Sequence, residues 1–100
     1  MKARLILRHK LTDIDGDLKE LVVWRVPIDE NHPEGVRYRM AFIPRGYGKP
    51  AVLYDNHHPR GHHRHIRGRI ESCDFLGIQQ LIVDFENDVA KWKQSRGRLK

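Results

Sequence analysis

The sequence predicts an α+β fold: an antiparallel β-meander of four to five strands with one C-terminal amphipathic helix packed on one face. Three observations predict it. Residues 2–43 hold runs in which apolar and polar residues alternate, separated by Asp/Gly and Pro-containing turns, as half-buried strands require. After Gly77 the apolar period changes from two to that of a helix. One hundred residues also support only a modest core, so an open sheet needs a cover. The boundaries are a single domain over residues 1–94 and a basic, flexible tail over 95–100.

Residues 2–11 open the meander. Ala3, Leu5, Leu7, His9 and Leu11 fall on one face, and Lys2, Arg4, Ile6, Arg8 and Lys10 on the other. Asp13-Ile14-Asp15-Gly16-Asp17 turns the chain. Three alternating aspartates resemble a calcium loop, but no glutamate stands at the twelfth position of a loop begun at Asp13, so an acidic turn is expected. Residues 18–26 form the second strand, with Leu21 and Val23 opposite Val22, Trp24 and Val26, so that both faces look covered for part of its length. Pro27 ends it by removing a ladder donor. In the loop that follows, His32 is expected to be solvated.

Residues 36–43 alternate again, with Val36, Tyr38, Met40 and Phe42 against Arg37, Arg39, Ala41 and Ile43. A turn around Gly46 leads to a fourth strand, Ala51 to Tyr54, and a short further strand is expected within His63–Ile70. Ile78, Leu81, Ile82, Phe85, Val89 and Trp92 then make one helical stripe, with Asp84, Glu86, Asn87, Asp88, Lys91 and Lys93 opposite. Gly77 is the expected N-cap and Gly97 the expected stop.

Composition narrows the partners. An apolar fraction of 39% suits a globular chain, and a net charge of +6 with a pI near 9.8 favours RNA or DNA, or an acidic protein. The lone Cys73 permits no internal disulfide, which fits a reducing cytoplasm, and beside Phe75-Leu76 it reads as packing rather than nucleophile. Neither a signal peptide nor a membrane span is expected, because the longest early apolar run is Leu5-Ile6-Leu7.

The stretch Tyr54-Asp55-Asn56 through Arg69 is where function concentrates. It holds five of the seven histidines (His57, His58, His62, His63, His65) and four arginines, with no acidic residue after Asp55. On an extended strand His63 and His65 share a face, roughly 6.6 Å apart by the strand rise. One imidazole can then take a ribose 2′-hydroxyl proton while the other protonates a leaving 5′-oxygen. Arg64, if the backbone departs from a regular strand, or Arg60 and Arg67 supply fixed cations to the phosphate. Tyr54 can stack a base or donate a proton, and Asp55 can orient a histidine. Arg69 extends the basic stretch, and Arg37 and Arg39, with Arg4 and Arg8, offer a further phosphate-binding face. This scheme needs no metal and no cofactor. The same histidines permit loose metal binding, but without a cysteine partner or an H-E-x-x-H helix no closed zinc site is expected. Signatures of nucleotide-dependent transfer and acyl hydrolysis are absent.

Three segments carry a resemblance: Met1-Lys2-Ala3-Arg4-Leu5-Ile6-Leu7-Arg8, the pairing of Tyr54-Asp55-Asn56 with His63-Arg64-His65, and Leu81-Ile82-Val83-Asp84-Phe85-Glu86-Asn87-Asp88-Val89. Together, over roughly residues 1–90, the chain resembles the TumE-type family of small bacterial and archaeal toxins from toxin–antitoxin pairs. The resemblance implies growth inhibition and a cognate antitoxin encoded adjacently, often with a helix-turn-helix domain. It also implies an acidic residue before His-Arg-His, where this chain has His62. The resulting expectation is a cytoplasmic toxin acting on nucleic acid by metal-independent RNA cleavage through His63, His65 and Arg64. The alternatives are a non-catalytic module that binds nucleic acid or protein, and a His-rich metal-binding protein.

Overall fold

The computed structural model describes residues 3–57 and 60–98. Six strands follow in chain order: β1 (Arg4–Thr12), β2 (Leu18–Arg25), β3 (Val36–Ile43), β4 (Val52–Asp55), β5 (His63–Ile66) and β6 (Arg69–Ser72). One helix, α1 (Ile78–Arg98), closes the chain. The sheet runs β1-β2-β3-β4-β5-β6 with every neighbour antiparallel. The fold is therefore α+β as expected, but with six strands instead of four to five. The extra strand comes from a tight hairpin, because Arg67 (φ 52°) and Gly68 (φ 81°) are both left-handed. That pair makes a two-residue turn matched to the sheet twist, and it splits the expected short strand in two. Arginine is an unusual choice for such a backbone, so Gly68 was the visible half of the signal.

β1 departs from simple alternation. Arg4 pairs with Arg25 and Leu5 with Trp24, yet Leu7 pairs with Val23, which leaves Ile6 as the extra residue of a bulge. The bulge shifts parity. Leu5 joins Arg8 and Lys10 on the Trp24 face, while Arg4 joins Leu7, His9 and Leu11 on the face of Val23, the reverse of the placement expected for Leu5 and Arg4. Of the nine residues only Leu7 is half-buried, because α1 packs over β4 and leaves β1 uncovered.

The core lies between the sheet and α1. Leu81, Phe85, Val89 and Trp92 meet Leu21, Val23, Tyr38, Met40, Phe42, Val52 and Tyr54, and Phe42 packs edge-on to Trp92. Each buried aliphatic or aromatic side chain contributes about 1.5–3 kcal/mol. Among the described residues no helix covers the other sheet face. Val22 and Trp24 are half-exposed there, so the second strand is covered on one face only, although Val26 beyond its end is buried.

The acidic turn clamps the far end of the helix. Asp13 Oδ1 accepts the amide protons of Asp15 (2.9 Å) and Asp17 (3.1 Å), and Gly16 passes Arg45 so closely that a Cβ would sit 2.9 Å from its Cδ. Asp17, fully buried, accepts the Arg45 amide at 2.7 Å and a two-pronged guanidinium from Arg96 at 2.7 and 3.1 Å. Lys93 Nζ sits among Asp13 (2.5 Å), Asp15 (2.9 Å) and Asp17 (3.4 Å). Held this way, α1 continues through Gly97 to Arg98, past the expected stop, and Ser95–Arg98 belong to its last turn. Among the described residues no helix is long and apolar enough to cross a membrane. The loop His32 is also less free than expected: it is half-buried, and its amide donates to Asp29 Oδ1 at 2.8 Å.

The clamp predicts acid lability. The Arg96 hydrogen bond, followed by the Arg45 amide, outweighs desolvation and lowers the Asp17 carboxyl from 3.8 to about 2. A depressed carboxyl contributes stability above its unfolded pKa and loses it as pH falls through the folded value. The contribution, about 2 kcal/mol, is therefore present at neutral pH and disappears between about pH 4 and pH 2. Urea titrations should find Asp17→Asn less stable than wild type by about that amount at pH 6, with the gap closing near pH 2. A gap that does not change with pH would show that Asp17 acts by shape alone.

Candidate functional site

The β4–β5 register decides which side chains can act together. Asp55 pairs with His63, Tyr54 with Arg64 and Leu53 with His65. Because strand residues alternate between faces, Asp55, His63 and His65 lie on the open face, and Tyr54 and Arg64 lie under the helix. The five residues expected to form one catalytic group thus divide into a trio and a pair on opposite sides of the sheet. Arg64 sits on a regular strand, so it points away from both histidines.

On the open face one row crosses the whole sheet: Arg8, Val22, Arg39, Asp55, His63 and Ser72 are consecutive cross-strand neighbours. His63 is only 4% exposed. Its Nε2 lies 2.9 Å from Asp55 Oδ1 and its Nδ1 lies 2.7 Å from the Gly61 carbonyl. Both neighbours offer acceptor oxygens, so both ring nitrogens are engaged and the ring orientation is fixed. Asp55 also accepts the His57 amide at 3.1 Å, which curls the chain just after β4. The His65 ring stands edge-on to His63 with centroids 5.0 Å apart, and it is less enclosed. Burial, then the charge of His63, pushes the His65 imidazole below its ordinary value; Asp55 opposes this and Arg60 adds to it. The lowered value favours the neutral form of the His65 ring.

Beside the trio an open groove of about 440 Å³ is lined by Glu20, Val22 and Trp24 of β2, Arg37, Tyr38 and Arg39 of β3, and Asp55 and His57. Arg37 and Arg39 are exposed, and Arg39 reaches Glu20 at 3.6 Å. Half-exposed Trp24 next to two guanidinium groups offers one flat face and two anion ligands.

Under the helix, Tyr54 and Arg64 do structural work. The Tyr54 hydroxyl donates to Asp88 Oδ2, and Arg64 Nη1 donates to the same Asp88 oxygen (3.0 Å) and to the Tyr54 oxygen (3.2 Å). Arg64 Nε donates to Glu71 of β6 at 2.6 Å. Burial, reinforced by Asp88, raises the Tyr54 hydroxyl well above its ordinary range, so it stays protonated. The guanidinium bridges β5, β6 and α1 through its Nε and Nη1. Asp88, expected on the exposed helix face, is instead only 11% exposed, since it borders the Phe85 stripe where Tyr54 ends.

A second polar chain backs the loop. Tyr38 Oη and His62 Nδ1 are 2.8 Å apart, His62 Nε2 is 2.9 Å from Glu34, and Tyr38, His62 and Phe75 stack. Burial pushes the Tyr38 hydroxyl far above its usual value. Asn56, buried, accepts the Tyr38 amide (3.0 Å) and donates to the Val36 carbonyl (2.8 Å), which fastens the loop to β3. Glu34, Phe75, Asn56 and Asp88 were all missed as site-forming residues. Only the adjacency of Asn56 to Tyr54-Asp55 signalled a role, since long-range partners leave no local pattern.

The remaining candidates scatter. Arg60 is exposed and close enough to influence His65. Arg67, at the β5–β6 turn, lines a different hollow with Tyr47, Lys49 and Trp92, and exposed Arg69 pairs with Ile66 on the helix side. Burial raises the Cys73 thiol, which keeps it protonated and inert. His58 lies outside the described residues. Among the described residues the one trio of ligand-bearing groups within 4.8 Å of one another is Asp13, Asp15 and Asp17, where Lys93 already supplies the cation.

A family model described as Toxin TumE matches residues 2–93 of the chain. No curated protein and no solved structure matches it.

The division of the five residues between two faces has a measurable consequence. Asp88→Ala strands the half-buried Arg64 and the Tyr54 hydroxyl and should cost about 2–3 kcal/mol in urea unfolding. Combining it with Tyr54→Phe should cost less than the sum of the two single changes, because both remove one shared interaction. His65→Ala, on the open face, should stay within about 1 kcal/mol of wild type. Equal losses at Asp88 and His65 would contradict the division.

Proposed function

This chain belongs to the TumE toxin family, and on that premise we propose that it is a toxin acting on RNA, with the open sheet face as the strand-binding and cleaving surface. The family makes it the toxin component of a toxin–antitoxin system with a cognate antitoxin. The observation that carries the RNA reading is the joint placement of Asp55, His63 and His65 beside a groove that also presents Trp24, Arg37 and Arg39. Bases stack on Trp24, phosphates meet Arg37, Arg39 and Arg60, and the sheet needs no rearrangement to receive them.

The chemistry follows from which proton sites are free. His65, neutral near pH 7, takes the proton of a ribose 2′-hydroxyl, and the 2′-oxygen attacks phosphorus. The bond from phosphorus to the 5′-oxygen breaks, leaving a 2′,3′-cyclic phosphate. Both His63 nitrogens are engaged, by Asp55 and the Gly61 carbonyl, so the departing oxygen takes its proton from solvent in the open groove. His63 fixes the geometry of the trio, and burial, ahead of the neighbouring His63, favours the unprotonated form of His65. This assigns the two histidines different roles from the symmetric acid/base pair read from the sequence. The enclosure of His63 also favours a second reading, in which the face binds RNA without cutting it.

Purified protein on labelled RNA without magnesium separates the two. Cleavage should fall about 10²–10⁴-fold in His65→Ala while RNA binding persists. Since His65 is shifted downward, the acid limb of the rate profile should lie below about pH 6.5, the ordinary histidine value. Arg39→Ala should weaken binding and reduce the salt slope by about one. Binding with no cleavage at any pH would establish the non-catalytic reading, and salt-independent binding would remove RNA as the partner.

A further inference from the structure

We propose that the free edge of β1 is a docking strand for an extended segment of the antitoxin in which apolar residues alternate with Asp or Glu, added to the sheet as a seventh strand. The proposal takes the existence of an antitoxin from the family and does not depend on RNA cleavage.

The edge is long, and among the described residues nothing pairs with it. β1 spans nine residues and bonds only to β2, so one side of its backbone presents unsatisfied N–H and C=O groups. The opposite edge, β6, has only four residues, and its Glu71 is tied to Arg64. Beyond the bulge, Leu7–Thr12 offers roughly 20 Å of regular strand, enough to seat about six residues.

Side chains on β1 favour a partner over solvent. Leu5, Ile6 and Leu11 are 44%, 49% and 45% exposed. Leu5 lies on the open face and Leu11 on the helix face, so an added strand finds apolar contact on both sides. Charge then selects which strand. Arg4, Arg8 and Lys10 are exposed, and no acidic residue occurs between Arg4 and Thr12. Two copies of this chain paired antiparallel about His9, in the regular part of the strand, would set Arg8 against Lys10 on the same face, and like charges directly opposite are destabilising. The same cations that repel a second copy attract a strand bearing carboxylates. Positive side chains and a bulge are also how edges avoid random pairing, which fits an edge kept for one kind of partner.

The test uses the full chain and three synthetic probes: a peptide of alternating Val and Glu, its Val/Lys counterpart, and the Val/Glu peptide N-methylated at alternate amides. The Val/Glu peptide should bind and slow hydrogen exchange in β1. The Val/Lys peptide should not bind, and N-methylation should abolish binding by removing the main-chain donors. Arg4→Glu with Arg8→Glu should weaken the Val/Glu peptide roughly tenfold and admit the Val/Lys one, as reversed charge pairing requires. Both side chains are exposed and Arg4 faces Arg25, so the double variant is expected to fold. If it does not, the N-methyl comparison on wild type decides alone. Equal binding of the N-methylated peptide, protection falling on the Arg37/Arg39 groove instead of β1, protection of β1 by a short RNA, or self-association through β1 in the unliganded chain would each overturn the proposal. None of these outcomes alters whether His65→Ala stops cleavage, so the two readings fail separately.

Discussion

The antiparallel register of β4 against β5 is the constraint on which the rest of the site depends. With Asp55 opposite His63, every odd-numbered residue from Leu53 to His65 on these strands faces the open side and every even-numbered one faces α1. A slip of β5 by one residue would turn His63 and His65 towards Phe85 and Val89 and turn Arg64 out to the open face. Two features resist that slip. Tyr54 and Arg64 share Asp88 of the helix, so the even set is fastened by charge-assisted hydrogen bonds. Asn56 holds the loop after β4 to the backbone of β3 through the Tyr38 amide and the Val36 carbonyl. Tyr54-Asp55-Asn56 therefore serves three directions at once: helix, dyad and neighbouring strand.

The same logic explains why one face stays open. A single helix of 21 residues covers the middle of a six-stranded sheet, and it is fixed at two places by different partners. Near its middle Asp88 meets Tyr54 and Arg64; near its end Lys93 and Arg96 meet the aspartates of the first hairpin. Paired charges with good hydrogen bonds hold position more than they add net stability, because desolvation offsets much of the attraction. The helix is thus pinned along its length, and the stabilising burial is concentrated in the Phe42–Phe85–Trp92 layer. Among the described residues no second helix lies on the Trp24–Arg39–Asp55–His63 side. That side must be either solvated or occupied by a ligand, and its content of guanidinium, imidazole and indole suits an anionic chain.

Legibility in the sequence followed the range of the interactions. The α+β class, the meander, the core face of β3 and the helix stripe were readable, since each rests on a local period. Position 6 was not: a bulge is an extra residue judged against a partner strand, and alternation within β1 carries no trace of it. The β5–β6 hairpin was half visible through Gly68, but Arg67 in a left-handed conformation hid the turn. Asp88 read as solvent-facing because its partners lie 24 and 34 residues earlier in the chain. Gly97 read as a helix stop because Arg96 and Asp17, 79 residues apart, are joined only in three dimensions. For the site, the cluster was legible while its division was not. Period-two geometry did imply that Arg64 would face away from His63 and His65, and the regular β5 strand obeys it.

Placing the dyad on a strand instead of in the preceding loop has a chemical consequence. A histidine in a loop loses freedom each time it must act, at a cost of about 1–2 kcal/mol per ordered residue. His63 has already paid that: it is enclosed, its two nitrogens are fixed by Asp55 and Gly61, and its partner strand cannot shift without disturbing the helix. Such rigidity suits a group that holds a position and is a poor match for a group that must exchange protons. His65 is more open, and burial, then its neighbour His63, lowers its imidazole below the ordinary value. Two histidines on one strand face therefore differ in surroundings, because strand geometry gives one of them both acceptors and leaves the other free. The asymmetry comes from environment, which is how titratable pairs are usually set apart.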